Sequence, residues 1–496
     1  MLRQHIPLWP GLYCGWAVLL LGFLMWPLLF PGVLLHRDMA VINSPVLSAA
    51  ALGFGDLAAR NAPQDGLLAL VGFVLPASWF VRLLLLGSGL FGAYGALSLA
   101  RFVGSTRLGE LAAITLTIFN PFVIERLLQG QWSLVIAAWL LPGVAAWSGS
   151  GRWQPLLCAL WLCSLTPTGA IFGLTVALVM APRWRTALFG FLLCLPWLVP
   201  SVLSPPTSSG AGAELFASRA EGMVGTVGAL LGLGGIWNSA AVPPSRSAGF
   251  ALAGVFLFVL LLAGVQRVPL RLSVLGGTGL GAAMLLAFVP PLATFLSTEV
   301  PGGGLLRDSH KLLLLTLPLF VALVSSLRTR FLTTLAIALT LLQVWDAPWS
   351  VARLRPVPEP TTITEIQQAA QGRDVFVPGL PTLVLIDGTP TVNPLAKAVP
   401  LVENGALLVD GIEVDSPSPR FQEASRLWAA GSVPELAQLG IGVVYPSTAA
   451  DLIEVPGIGP QRGWQWWLGL TLLIEWLALA GWALGRGSIS RRASAR

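Results

Sequence analysis

Two short stretches of this 496-residue chain gather ionisable side chains that are scarce elsewhere, since only 10% of its residues are Asp, Glu, Lys or Arg. Leu305 to Leu315 reads LLRDSHKLLLL and sets Arg307, Asp308, His310 and Lys311 against the start of an apolar run; Lys311 is one of two lysines and His310 one of three histidines. A planar fork, an imidazole and a point charge within five residues form a donor set for a phosphate at a membrane surface. Snorkelling from a helix end explains one cation, not three donors beside a carboxylate. The reversed cluster His36-Arg37-Asp38 follows the first apolar run. There Asp38 can face water from a position fixed by a helix end, as a general base requires. The competing reading of Asp38 is a solvated loop acid paired with Arg37.

A third cluster, NPFVIERLLQGQW from Asn120 to Trp132, is unusually polar for a short connection between apolar runs. Glu125 and Gln129 are four apart and share a helical face, as do Arg126 and Gly130. The alternative is a structural turn in which Glu125 and Arg126 fix helix ends and Trp132 anchors at the interface. Other signals point to packing. The run GGTGLG, Gly276 to Gly281, lies inside an apolar segment with no preceding strand, which fits close helix contact better than a nucleotide loop. Glu475 fits a buried helix contact, and all four cysteines fall in apolar runs where a thiol behaves as a small hydrophobe.

The elements that must position these groups are membrane helices. With 55% hydrophobic residues and a mean hydropathy of +0.77, the chain belongs to the membrane class. Twelve spans are expected near 12–35, 79–100, 108–124, 132–148, 154–166, 168–181, 186–203, 248–265, 272–292, 311–327, 331–347 and 464–485. The first reads as a retained signal anchor with the N-terminus inside. Fourteen arginines, from Arg3, Arg101 and Arg107 to Arg492 and Arg496, then share the cytoplasmic side with a single acid, Glu110. The net charge of +6 is therefore a topology signal and gives no reason to expect nucleic acid. That parity requires Gln154 to Ala181 to be a helical hairpin broken near Thr166-Pro167 and packed against protein.

The expected organisation is a multi-pass body over 1–347 with extracytoplasmic loops at 36–78, 204–247 and 293–310. An extracytoplasmic α/β domain follows over 348–463, and a last helix with a basic cytoplasmic tail occupies 464–496. From Ala347 to Gly463 twelve acids face seven bases, and apolar runs thin out. Asp374–Val377 and Ile441–Tyr445 read as strands; Pro419–Ala430 and Val433–Leu439 read as helices, the second closed by Gly440.

The acid-bearing first loop, the many-span body and the appended domain resemble the GT-C superfamily of polytopic glycosyltransferases. The stretches NPFVIERLLQGQW, LLRDSHK and PELAQLGIGVVYP extend the likeness to arabinosyl- and mannosyltransferases of bacterial envelopes that use polyprenyl-phosphate sugars. The resemblance implies a plasma-membrane enzyme with a lipid-phosphate-linked sugar as donor and an envelope glycan or glycolipid as acceptor. Inverting transfer would take place on the outer face. It carries the role of catalytic base to Asp38. Donor-phosphate binding would then fall to Arg307, His310 and Lys311, supported by His36, Arg37, Glu125, Arg126, Gln129 and Asp308. Many members show two adjacent acids in the first loop, whereas Asp38 is flanked by Arg37 and Met39. The resemblance leaves a divalent metal open, but the sequence names no ligand set for one, because metal-binding members generally supply more carboxylates than Asp38 and Asp308. A non-catalytic scaffold of the same fold, or a transporter of envelope lipids, shares the topology. A transporter would also show internal repeats and paired intramembrane charges.

Overall fold

The computed structural model of the chain describes residues 8–204, 212–300, 302–409, 411–446 and 452–493; Arg3 and Arg496 lie outside them. Nine of the described helices are long and apolar enough to cross a membrane. Three shorter apolar helices, Trp153–Cys163, Pro167–Met180 and Ser309–Ser325, occupy the remaining expected positions. The chain is a polytopic helical membrane protein. Trp153–Cys163 and Pro167–Met180 are separate helices, as parity required. Pro167 opens the second at a position whose N–H has no helical partner.

Arg107–Leu128 and Trp132–Ser150 are the innermost spans, 94% and 89% buried, whereas Trp464–Gly485 is 28% buried and leaves an apolar face for lipid. The polar connection between the two innermost spans is thereby held at the centre of the molecule. In the GGTGLG run, a Cβ at Gly279 would lie 2.8 Å from the Leu312 carbonyl oxygen, so the glycines serve close helix packing.

The first span ends earlier than expected. Its apolar helix stops at Leu29, and Leu34–His36 (β1) pairs antiparallel with Met39–Val41 (β2). Pro31 and Gly32 account for the break: proline removes a helical donor, and Gly32, at φ +124°, lies against Val357. Val33 and Val357 then exchange two backbone hydrogen bonds of 2.8 and 3.0 Å.

The α/β unit contains, in chain order, β3 (Asp374–Phe376), the hairpin of β4 (Leu383–Ile386) and β5 (Thr389–Val392), the hairpin of β6 (Leu407–Val409) and β7 (Ile412–Asp415), then β8 (Ile441–Val444) and β9 (Ile453–Glu454). β8 lies between β3, parallel, and β9, antiparallel. The helix Pro419–Ala429 and the 3₁₀ turn Val433–Leu439, closed by Gly440 at φ +71°, match the sequence pattern.

Of this unit's two buried clusters, the one around Phe376, Phe421 and Val444 is its own, whereas the other is not closed by the unit alone. Val33, Leu35, Ala40 and Ile42 of the β1–β2 hairpin pack with Ile363, Ile366, Val375 and Val443 in one buried cluster. Lys397–Asp65 (2.6 Å) and Arg420–Asp56 (3.7 Å) add ion pairs from the same first loop. A fragment of residues 350–462 alone should consequently bind a hydrophobic dye and melt without a cooperative transition. Fusing residues 31–44 to it should restore a sharp melt, and equal melting of both fragments would show that the hairpin is dispensable.

Candidate active site

The hairpin that completes the α/β core also presents Asp38. A two-residue turn, Arg37-Asp38, joins β1 to β2, with Arg37 at φ +53°, a conformation costly for a residue with a Cβ. Backbone bonds hold the tip from two sides: Asp38 N–H donates to the Gln129 carbonyl (3.1 Å), and Val392 N–H donates to the Arg37 carbonyl (2.8 Å). Gly130 sits directly beneath. At φ +84°, a Cβ there would overlap the His36 carbonyl oxygen and the Met39 nitrogen and lie 3.0 Å from the Asp38 nitrogen.

From Asp38 a chain of hydrogen bonds runs inward and joins all three polar clusters. Gln131 Nε2 donates to Asp38 Oδ2 (2.9 Å), and Arg126 Nη1 donates to Gln131 Oε1 (2.8 Å). Arg126, fully buried, then grips Asp308 with both guanidinium nitrogens at 2.5 and 3.0 Å and donates to His310 Nδ1 at 2.8 Å. The segment that makes this possible is the helix Pro121–Leu128, started by Asn120, whose side chain accepts from Val123 N–H, with Pro121 at its first position.

The shared face of Glu125 and Gln129 serves the 204–247 loop. Glu125 accepts Ile236 N–H at 2.9 Å and Gly235 N–H at 3.4 Å, and Gln129 accepts the Asn238 amide at 2.8 Å. Ser218 of the same loop contacts Ser309 through their hydroxyls at 2.9 Å. Residues 218–238 of this loop are thus tied to both the 120–132 and the 305–315 clusters.

Several residues expected to face a phosphate are engaged elsewhere. His310 is fully buried, stacked on Phe122 with ring centroids 5.0 Å apart, and presents no surface to a ligand. Arg307 forms a bidentate pair with Asp415 of β7 (3.0 and 3.3 Å) and lies over the Phe216 ring at 4.2 Å, clamping the α/β unit to the body. His36 is buried and its Nε2 lies 2.8 Å from the Leu128 carbonyl; burial lowers its pKa to about 4, so at neutral pH it is an uncharged donor to that oxygen. Arg37 donates to the Ala240 carbonyl at 3.2 Å. Lys311 keeps its ammonium free of any carboxylate partner among the described residues.

Arg60, which sequence reasoning passed over, lies within electrostatic reach of the same groups. It is exposed in the loop after β2, and its charge interacts with those of Arg307, Asp415, Asp38 and Lys311. Nothing in its local sequence marks it, since the partners that make it relevant are supplied by other parts of the chain. Gln131 and Gly130 stood inside the third cluster, but their roles depend on the hairpin docked upon them.

The electrostatics suit a proton acceptor at Asp38. Its side chain reaches solvent, and partial desolvation by the protein packed around the hairpin tip raises its pKa above the ordinary aspartate value. Hydrogen bonds from Gln131 and Gln129 and the charges of Lys311 and Arg126 act in the opposite direction. Asp308 differs. Burial alone would raise its pKa, but the charge and bidentate hydrogen bonds of Arg126 overcome that and hold it near about 2, a permanent anion. Among the described residues no group of three or more His, Cys, Asp or Glu converges on one point, and both Asp308 oxygens are taken by Arg126.

Gly130→Ala should therefore displace the hairpin tip, because the atoms in its way are backbone rather than a flexible side chain. Misplacing a reacting group by about 1 Å can cost on the order of 10² in rate. The expected result is a loss of that size in turnover with the protein still folded by circular dichroism; unchanged turnover would show that the tip need not sit where it does.

No protein-family model and no curated protein matches the chain. Among solved structures, its fold is similar to the cryo-EM structure of arabinofuranosyltransferase AftD from Mycobacteria, with a TM-score of 0.54 and 18% identity over 88% of this chain and 35% of that one. A mutant form of the same enzyme matches at a TM-score of 0.50, 18% identity, 88% of this chain and 36% of that one. The chain spans about a third of the length of the protein it resembles, and the likeness is one of fold.

Proposed function

We propose that the chain is a membrane glycosyltransferase that moves a sugar from a polyprenyl-phosphate donor to an envelope glycan or glycolipid on the extracytoplasmic face. The observation that carries this reading is the placement of Asp38: a solvent-reaching carboxylate at the tip of a doubly anchored hairpin, held by Gln131 and within electrostatic reach of Lys311 and Arg60. In the proposed step the acceptor hydroxyl gives its proton to Asp38 while its oxygen attacks the anomeric carbon. The bond from that carbon to the phosphate oxygen breaks, leaving polyprenyl phosphate and an inverted linkage. Lys311 and Arg60 offset the charge that grows on the leaving phosphate. Arg126, Gln131 and Asp308 position the base, and Arg307 fixes the wall formed by β7. The outward side rests on the arginine asymmetry between loops. Arabinofuranosyl is the first sugar to test, because it is the one in the name of the fold neighbour.

The test is transfer in right-side-out vesicles carrying the full chain, with labelled polyprenyl-phosphate arabinofuranose in the bilayer and a glycan acceptor added outside only. Label should appear in the acceptor. Retained donor binding without transfer, over a range of sugars and acceptors, would favour a non-catalytic scaffold.

A further inference from the structure

A cavity of about 540 Å³ lies between the start of the Arg246–Arg267 span and the end of the Arg330–Leu354 span. It is lined by Ser245, Phe250, Trp345, Asp346, Trp349 and Arg353, among others, and falls within the roughly 300–1,000 Å³ usual for small-ligand sites. Trp345, Trp349 and Arg353 all face this cavity, although the chain there passes from a turn through one helical turn into a 3₁₀ segment. Both tryptophans are unusually open, at 49% and 68% exposure, and their rings stand edge to face with centroids 5.9 Å apart.

Asp346 is 8% exposed and gives one carboxylate oxygen to Ser245 N–H at 2.8 Å; its other oxygen is buried without a hydrogen-bond partner. A buried acceptor left unmatched is costly and calls for a donor. Anchoring at a membrane interface accounts for exposed tryptophans. It does not account for an unsatisfied carboxylate in the wall of a cavity beside them. Aromatic faces for the C–H side of a ring, a carboxylate for its hydroxyls and a guanidinium at the rim are together the chemistry that recognises a sugar.

The cavity is one carbonyl away from the candidate active site. Arg353 Nη1 and Arg37 Nη2 both donate to the Ala240 oxygen, at 3.3 and 3.2 Å, and Arg37 precedes Asp38 in the hairpin turn. We infer that this cavity is a saccharide subsite that holds a neutral sugar unit of the acceptor glycan, away from the unit being extended. The assignment rests on the glycosyltransferase reading for its purpose, but binding can be measured without transfer.

The experiment is saturation-transfer difference NMR on the full-length protein in nanodiscs, using a soluble arabino-oligosaccharide as probe and a manno-oligosaccharide in parallel. At least one should bind, and the Asp38→Asn protein should bind it equally well. Trp349→Ala, at an exposed position, should weaken binding by about tenfold or more, and Trp349→Phe should recover most of it. Unchanged binding in Trp349→Ala overturns the subsite, as does binding of polyprenyl phosphate with neither oligosaccharide. Oligosaccharide binding in a protein that transfers no sugar would leave the subsite standing and remove the enzymatic reading. Efficient transfer without such binding would do the reverse.

Discussion

Asp38→Asn should abolish sugar transfer while donor binding survives. The substitution keeps the size of the side chain and its contact with Gln131 but removes the proton acceptor, and losing a well-placed general base costs about 10² to 10⁴ in rate. Stability should not fall with activity. The fold raises the Asp38 pKa, so the ionised form is disfavoured relative to the unfolded chain, and at neutral pH that charge works against folding. A neutral side chain removes this cost, and the Asp38→Asn protein should melt no lower than the parent. The same shift sets the pH profile. Turnover needs the carboxylate, so the acid limb of kcat/KM should lie above the ordinary aspartate range, and activity should fall as pH drops through it. Full activity in Asp38→Asn, or an acid limb that the substitution leaves in place, would assign the proton transfer to another group.

Arg126→Ala should have the largest structural effect. It leaves the Asp308 carboxylate buried without its bidentate partner, and breaking a buried pair in this way costs about 3–5 kcal/mol. It also frees Gln131 from the bond that orients it toward Asp38, so turnover should drop even in molecules that remain folded. The pH dependence has a definite sign. Because the folded pKa of Asp308 is depressed from 3.8 to about 2, its contribution is fully present above the unfolded value and fades only as pH falls toward about 2. A double variant, Arg126→Met with Asp308→Leu, removes both charges and should regain most of the stability, as apolar replacements of buried pairs often do. It should not regain activity, since Gln131 would still lack its anchor. Thermal melts in detergent alongside transfer rates separate the two effects.

The membrane architecture was legible because lipid imposes a one-dimensional code of run length and hydropathy, read without knowing which helices touch. The break near Thr166-Pro167 followed from the parity of the arginine-bearing loops, and the strands at Asp374 and Ile441 from short runs of β-branched and aromatic residues. Asp308 and Arg126 were marked by the cost of placing charge at helix ends, although nothing local showed that they pair across 182 residues. Partner choice was the hidden part. Arg307 looked free because its partner, Asp415, lies 108 positions later in a hairpin whose docking no local pattern encodes. His310 looked available for the same reason, yet Arg126 and Phe122 enclose it. The first span ends short because Val33, Leu34 and Leu35, as apolar as a membrane helix, follow Pro31 and Gly32 and are drawn into extended backbone, Val33 bridging Val357 and Leu34 opening β1.

A structure of the Asp38→Asn protein trapped with its polyprenyl-phosphate sugar donor tests the shared site most directly. The donor phosphate is expected within hydrogen-bond reach, about 3 Å, of Lys311 and Arg60, with the anomeric carbon facing position 38 across a gap that admits one acceptor hydroxyl. A donor bound with its phosphate away from both cations, or with its anomeric carbon turned from the hairpin tip, would contradict the assignment of Asp38 as the base.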